Sequence, residues 1–78
     1  MIKIEYDPEV DALYIRLREV PVHDSIDVEE GVTIDRDDQG HIAGLEVLNA
    51  KRRIGADPLT AVSIERLVPE ETPRAEVA

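Results

Sequence analysis

Residues 31–48, GVTIDRDDQGHIAGLEVL, admit two readings that lead to different folds. Counted from Asp35 as the first position of a twelve-residue calcium loop, Asp35, Asp37, Gln39, Gly40, Ile42 and Glu46 fall on positions one, three, five, six, eight and twelve. Gln39 is the departure, since Asp or Asn is usual there. A calcium loop of this kind also needs a helix on each side, and the entering residues Gly31-Val32-Thr33-Ile34 are few, β-branched and opened by glycine, which favours a strand. A β-hairpin explains the same residues more simply. Val32 and Ile34 alternate with Thr33 and Asp35, Asp37-Asp38-Gln39-Gly40 supplies turn residues, and Leu45 and Val47 alternate afterwards. Ile42 is out of phase with Leu45 and Val47, so a bulge or a close backbone approach is expected near Gly44.

Upstream, Ile2, Ile4 and Tyr6 alternate with Lys3, Glu5 and Asp7, the period of a strand with one buried face. Asp7-Pro8-Glu9-Val10-Asp11 breaks it, with Asp7 and Asp11 expected to bond to the backbone of their own turn. Leu13, Ile15 and Leu17 resume the alternation opposite Tyr14, Arg16 and Arg18. After an irregular link at 20–23, Ser25 to Glu29 forms a short strand with Ile26 and Val28 inward. No gap between strands is long enough for a crossover helix, so the expected fold is α+β: a small antiparallel β-meander of four to five strands.

Downstream, Asn49-Ala50-Lys51-Arg52-Arg53 either starts a helical turn or simply leaves the sheet, and Gly55 stops either. Asp57-Pro58 is a stronger start signal, and Ala61, Ile64, Leu67 and Val68 then share a helical face, so a short C-terminal helix is expected to cover the sheet. The domain thus spans 1–68. A flexible acidic tail follows over 69–78, where proline and charge leave little apolar burial to offset ordering entropy.

With 78 residues the chain buries only about 60% of its unfolded surface, so a small aliphatic core is expected to gain stability from a homodimer. The net charge is −9, and the segment through Gln39 carries twelve acids against Lys3, Arg16, Arg18 and Arg36. Such a surface repels phosphate backbones and attracts basic proteins, so a basic protein partner is expected and direct nucleic-acid binding is not. There is no cysteine, no apolar run of membrane-spanning length and no leader pattern, which points to a cytoplasmic protein without a membrane partner.

Chemistry-bearing constellations are sparse. His23-Asp24-Ser25 holds the residue types of a hydrolase triad, but neighbours on a strand point to opposite faces. His41 follows a turn glycine, and no Cys/His spacing supplies further metal ligands. Glu5, Asp7, Glu9 and Asp11 lack the pocket that would separate their pKa values. Lys51-Arg52-Arg53 is a solvated exit from the last strand rather than a phosphate patch, while Arg16 and Arg18 have acids within cross-strand reach. No enzyme activity and no cofactor are expected.

The combination Ile4-Glu5-Tyr6-Asp7, Asp11-Ala12-Leu13-Tyr14-Ile15, Gly31-Val32, and Asp35-x-Asp37-x-x-Gly40-x-Ile42-x-Gly44-Leu45-Glu46-Val47-Leu48-Asn49-Ala50 resembles the bacterial family called domain of unknown function 2283. The resemblance covers the chain from Met1 to about Arg53. It implies a small fold and carries no catalytic residue. Some similar chains accompany small basic proteins resembling ribonuclease-type toxins, which implies a neutralising role. The expected function is therefore a non-enzymatic, antitoxin-like interaction module, with Asp27, Glu29, Glu30, Glu70 and Glu71 as partner contacts. The alternative is a weak divalent-cation-binding regulator using Asp35, Asp37 and Glu46.

Overall fold

The computed structural model describes residues 1–67, so the tail expected over 69–78, with Glu70 and Glu71, lies outside the described residues. Five strands form one sheet: β1 (Lys3–Asp7), β2 (Ala12–Arg16), β3 (Asp24–Glu29), β4 (Val32–Arg36) and β5 (Ile42–Leu48), followed by α1 (Ala50–Ile54). Every neighbouring pair is antiparallel, as the short connections require. The order is β1-β2-β5-β4-β3. A meander is present over β3-β4-β5, and β1-β2 is a separate hairpin. The link at 17–23 carries the chain to the far edge, from which the meander returns to set β5 beside β2. The most acidic strand, β3, thereby takes an edge and the apolar β5 takes the centre.

The bulge expected near Gly44 is present. Asp35 pairs with Gly44 and Arg36 with Ile42, leaving Ala43 as the extra residue on β5. Ala43 is buried, and its carbonyl accepts the Leu17 and Arg18 N–H groups at 2.9 and 3.2 Å. A second register shift lies in β3 between Asp27 and Glu29.

The register sorts the side chains by face, because directly paired residues point the same way. Ile4, Ile15, Leu45, Ile34 and Ile26 are paired in series, forming one apolar row across all five strands. Tyr6, Leu13, Val47 and Val32 form a second row beside it. The opposite face carries Glu5, Tyr14, Glu46, Thr33 and Asp27 in one row, with Lys3, Arg16, Gly44, Asp35 and Ser25 in the next.

The helix differs from its expected place. Residues 57–67 form one turn and then no regular structure, whereas the helix occupies Ala50–Ile54, the earlier candidate, and ends at Gly55 with φ +80°. Asp57 does cap a turn, accepting the Leu59 N–H at 3.0 Å on its side chain. The turn does not propagate: β-branched Thr60, Val62 and Ile64 follow, and helix growth needs a surface to pack on. Leu59, Val62, Ile64 and Leu67 are all exposed, so the cover expected for the apolar face is not supplied by this segment. Ile26 and Val28, expected to be inward, are exposed at 42% and 56%: Ile26 sits on an edge strand of that uncovered face, and Val28 is the unpaired residue at the β3 register shift.

Candidate functional site

The polar face is organised around Tyr14. Its ring crosses the adjacent β5 at Gly44, where any Cβ would overlap the phenol, and its hydroxyl donates to Asp35 Oδ2 on β4 at 2.8 Å. Ser25 on β3 donates to the other oxygen of Asp35 at 2.6 Å. Four strands are thus tied across one face by Tyr14, Asp35 and Ser25. Burial, reinforced by the Asp35 carboxylate, pushes the Tyr14 phenol above its usual range. Arg16 stacks over the Tyr14 ring, 5.1 Å from its centroid, and lies 3.4 Å from Glu5. That cross-strand pairing was expected from the alternation. On this face Glu5, Asp7, Asp27, Asp35 and Glu46 outnumber Lys3 and Arg16, leaving a negative surface.

Of the acids expected to contact a partner, the described ones, Asp27, Glu29 and Glu30, lie at one edge of the sheet. Asp27 is on the exposed edge strand β3 and accepts the Thr33 hydroxyl at 3.2 Å. Glu29 ends β3 with its carboxylate 3.7 Å from Arg53. Glu30 occupies the following turn, where its backbone carbonyl accepts from Arg53. Arg53 also donates to the Leu48 carbonyl at 3.0 Å and lies against Gly31, whose φ is +82°. The basic cluster at 51–53 therefore divides: Arg53 is a strap joining α1 to the β3-β4 turn, while all three residues remain exposed.

The turn between β4 and β5 shows what its aspartates do. Asp37 Oδ1 accepts the Gln39 and His41 N–H groups, each at 2.9 Å, and Oδ2 pairs with Arg18. Gly40 closes the turn at φ +82°, its N–H bonding to the Asp37 carbonyl at 3.1 Å. The Arg18 guanidinium, helped by the His41 N–H, holds the Asp37 carboxyl down at about 2, against the opposing effect of burial. Strands, not helices, flank this turn. Asp35 instead bonds to hydroxyls on the polar face, and among the described residues no three His, Asp or Glu side chains are grouped to hold a metal ion.

Elsewhere the sequence expectations divide. Asp24 forms a two-point pair with Arg36 at 2.9 and 2.6 Å, which holds its carboxyl below the usual range, while Ser25 bonds on the opposite face. His23, Asp24 and Ser25 consequently do not converge. His41 is exposed, as expected of a hairpin residue. Asp7 bonds to its own turn through the Glu9 N–H at 2.9 Å. Asp11 does not: it accepts the Tyr6 hydroxyl at 2.6 Å and the Lys51 N–H at the start of α1, and so ties the β1-β2 turn to the helix. Hydrogen bonding to Asp11 pushes the Tyr6 phenol up to about 12. Asp11 holds a positive φ of 55°, and its partner forty positions along has no sequence mark.

A shallow cleft of about 380 Å³ lies between the 20–23 link and the β4-β5 turn, with Arg18, His23, Asp37 and His41 among its walls. Of these, Arg18 and Asp37 are already paired with each other, and Asp37 also accepts two backbone N–H groups. No helix among the described residues is long and apolar enough to cross a membrane.

No curated protein and no solved structure matches the chain. One family model does match, over residues 3–51, which is the sheet together with the start of α1. The residues that build the Tyr14 network, the β5 bulge and the Asp37 turn all fall inside it, and the chain belongs to the family described as Protein of unknown function (DUF2283).

Proposed function

We propose that this chain is a non-enzymatic protein-interaction module that engages a small basic protein and neutralises it in the manner of an antitoxin. The observation carrying this reading is the one-sided distribution of charge: carboxylates on the polar face and along the β3 edge, within a chain of net charge −9. A field of that sign steers a basic partner and accelerates encounter. The exposed β3 edge offers main-chain groups for strand addition, and the carboxylates of Asp27, Glu29 and Glu30 on and just after it would favour a cationic strand or loop. Glu70 and Glu71 extend the same chemistry beyond the described residues.

The test is co-purification of the chain with the product of the neighbouring gene, followed by binding measured at increasing salt. A complex that weakens steeply with salt, and loses affinity tenfold or more when Asp27, Glu29 and Glu30 are together replaced by lysine, is the expected result. Recovery of the free chain alone at low salt, with growth unaffected by expressing either gene singly, rejects the reading.

A further inference from the structure

The sheet has a second surface whose chemistry is the reverse of the acidic one. The row Ile4–Ile15–Leu45–Ile34–Ile26 crosses all five strands, and Tyr6, Leu13, Val47 and Val32 lie alongside. No described element packs across these rows. The substantial element contacts are those between neighbouring strands, α1 lies beyond the strand ends, and the apolar residues of 59–67 are themselves exposed. Among the described residues the buried apolar side chains are Leu13, Ala43, Ala50 and Pro58 alone, and no large side chain is fully buried. A sheet this small needs a second layer to hold a hydrophobic core.

We propose that a second copy of this chain supplies that layer, packing sheet against sheet through the isoleucine row about a two-fold axis, and that folding is coupled to the pairing. Three features select a copy over another partner. First, the isoleucine row itself carries no charge, and carboxylates at the rim are engaged within each copy: Asp24 pairs with Arg36, Glu29 lies 3.7 Å from Arg53, and Asp11 accepts from the Tyr6 hydroxyl and the Lys51 N–H, so the row meets its copy without opposing charges although each chain carries −9. Second, the contact keeps both acidic faces outward and as far apart as the fold allows. Third, the area suffices. Five strands about 4.8 Å apart and roughly 17 Å long present a footprint of about 400 Å² per copy. The corrugated accessible surface is larger, so the pair reaches the roughly 1,000 Å² that separates specific interfaces from fortuitous contacts. Aligned sheets pack with their layers about 10 Å apart and interdigitating side chains, an arrangement that two parallel apolar rows per copy can fill.

This pairing uses the face opposite the acidic one, so its success or failure is independent of the neutraliser reading. The experiment is light scattering on the full chain over a wide concentration range, together with urea unfolding at each concentration. Twice the chain mass of 8.7 kDa is expected, with an unfolding midpoint that rises with protein concentration. Added sodium chloride should strengthen the dimer by screening repulsion between copies, the opposite of its effect on a basic partner. Ile34→Glu should abolish the dimer, and Ile34→Ala, which retains an apolar surface, should weaken it at least tenfold; Glu46→Gln on the other face should leave it intact. If Ile34→Glu does not fold, the concentration dependence of the Ile34→Ala midpoint still decides. A cooperatively folding monomer at every concentration overturns the proposal, as does a dimer that tolerates Ile34→Glu and dissociates when the β3 edge is changed.

Discussion

Replacing Gly44 by alanine places a methyl group where the Tyr14 phenol now lies. Gly44 is not among the glycines with positive φ, so its backbone accepts an L-residue and the demand for glycine comes from the ring alone. To admit the methyl, Tyr14 must tilt away from β5, stretching its 2.8 Å bond to Asp35 and its stacking under Arg16. Overpacking of this kind costs about 1–3 kcal/mol. In a domain this size each kcal/mol lowers Tm by roughly 4–8 °C. With Tyr14 first shortened to alanine, the same substitution no longer meets the ring and relieves a strand interior of glycine, a gain of about 0.5–1 kcal/mol. The two effects have opposite signs, and the double-mutant cycle should give a coupling of about 1.5–4 kcal/mol. Urea unfolding followed by circular dichroism measures it, at one fixed protein concentration because self-association shifts apparent stability. An equal cost for Gly44→Ala in both backgrounds refutes the close-approach account and assigns the glycine to the bulge itself.

Two further outcomes follow from the turns. Asp37 has a folded value of about 2 against an ordinary 3.8, so the folded state favours its ionised form; the resulting stability is complete above about pH 4 and is lost as pH falls towards 2. Arg18→Gln should raise the Asp37 value and flatten that acid limb, which a pH series of unfolding midpoints and a carboxyl titration by nuclear magnetic resonance would show. Gly31 and Gly40 share φ +82°, but a Cβ meets Arg53 Nη2 at 2.7 Å at Gly31 and nothing within 4 Å at Gly40. Gly40→Ala should cost about 1–2 kcal/mol for the left-handed backbone, and Gly31→Ala more, through displacement of the Arg53 strap. Equal losses in thermal melts would count against the strap.

The elements that could be read in the chain are those fixed by neighbours in sequence. Alternation at Ile2–Tyr6 and Leu13–Leu17, the Asp37–Gly40 turn and the phase break at Gly44 all express a period of two and local turn chemistry, and each marks a real strand, turn or bulge. Charge placement was legible for the same reason, since residues alternating with the apolar set must share the other face. The helix expected over 57–68 failed over its described part because periodicity states only that a face would be apolar. Whether that face meets a surface depends on where the sheet lies. Asp11 was misassigned for a related reason, its carboxylate being claimed by Tyr6 and Lys51 through space.

Sequence by itself therefore determined five antiparallel strands, two chemically opposed faces and the glycine-dependent close approach. Tertiary structure decided that β5 rather than β3 lies beside β2, that Tyr14 reaches Asp35 across β5, and that the helix sits at the sheet's end instead of on its apolar face. Hairpin formation is local, but the return of β5 to β2 closes a long loop, and its reward is set by what the assembled sheet can bury.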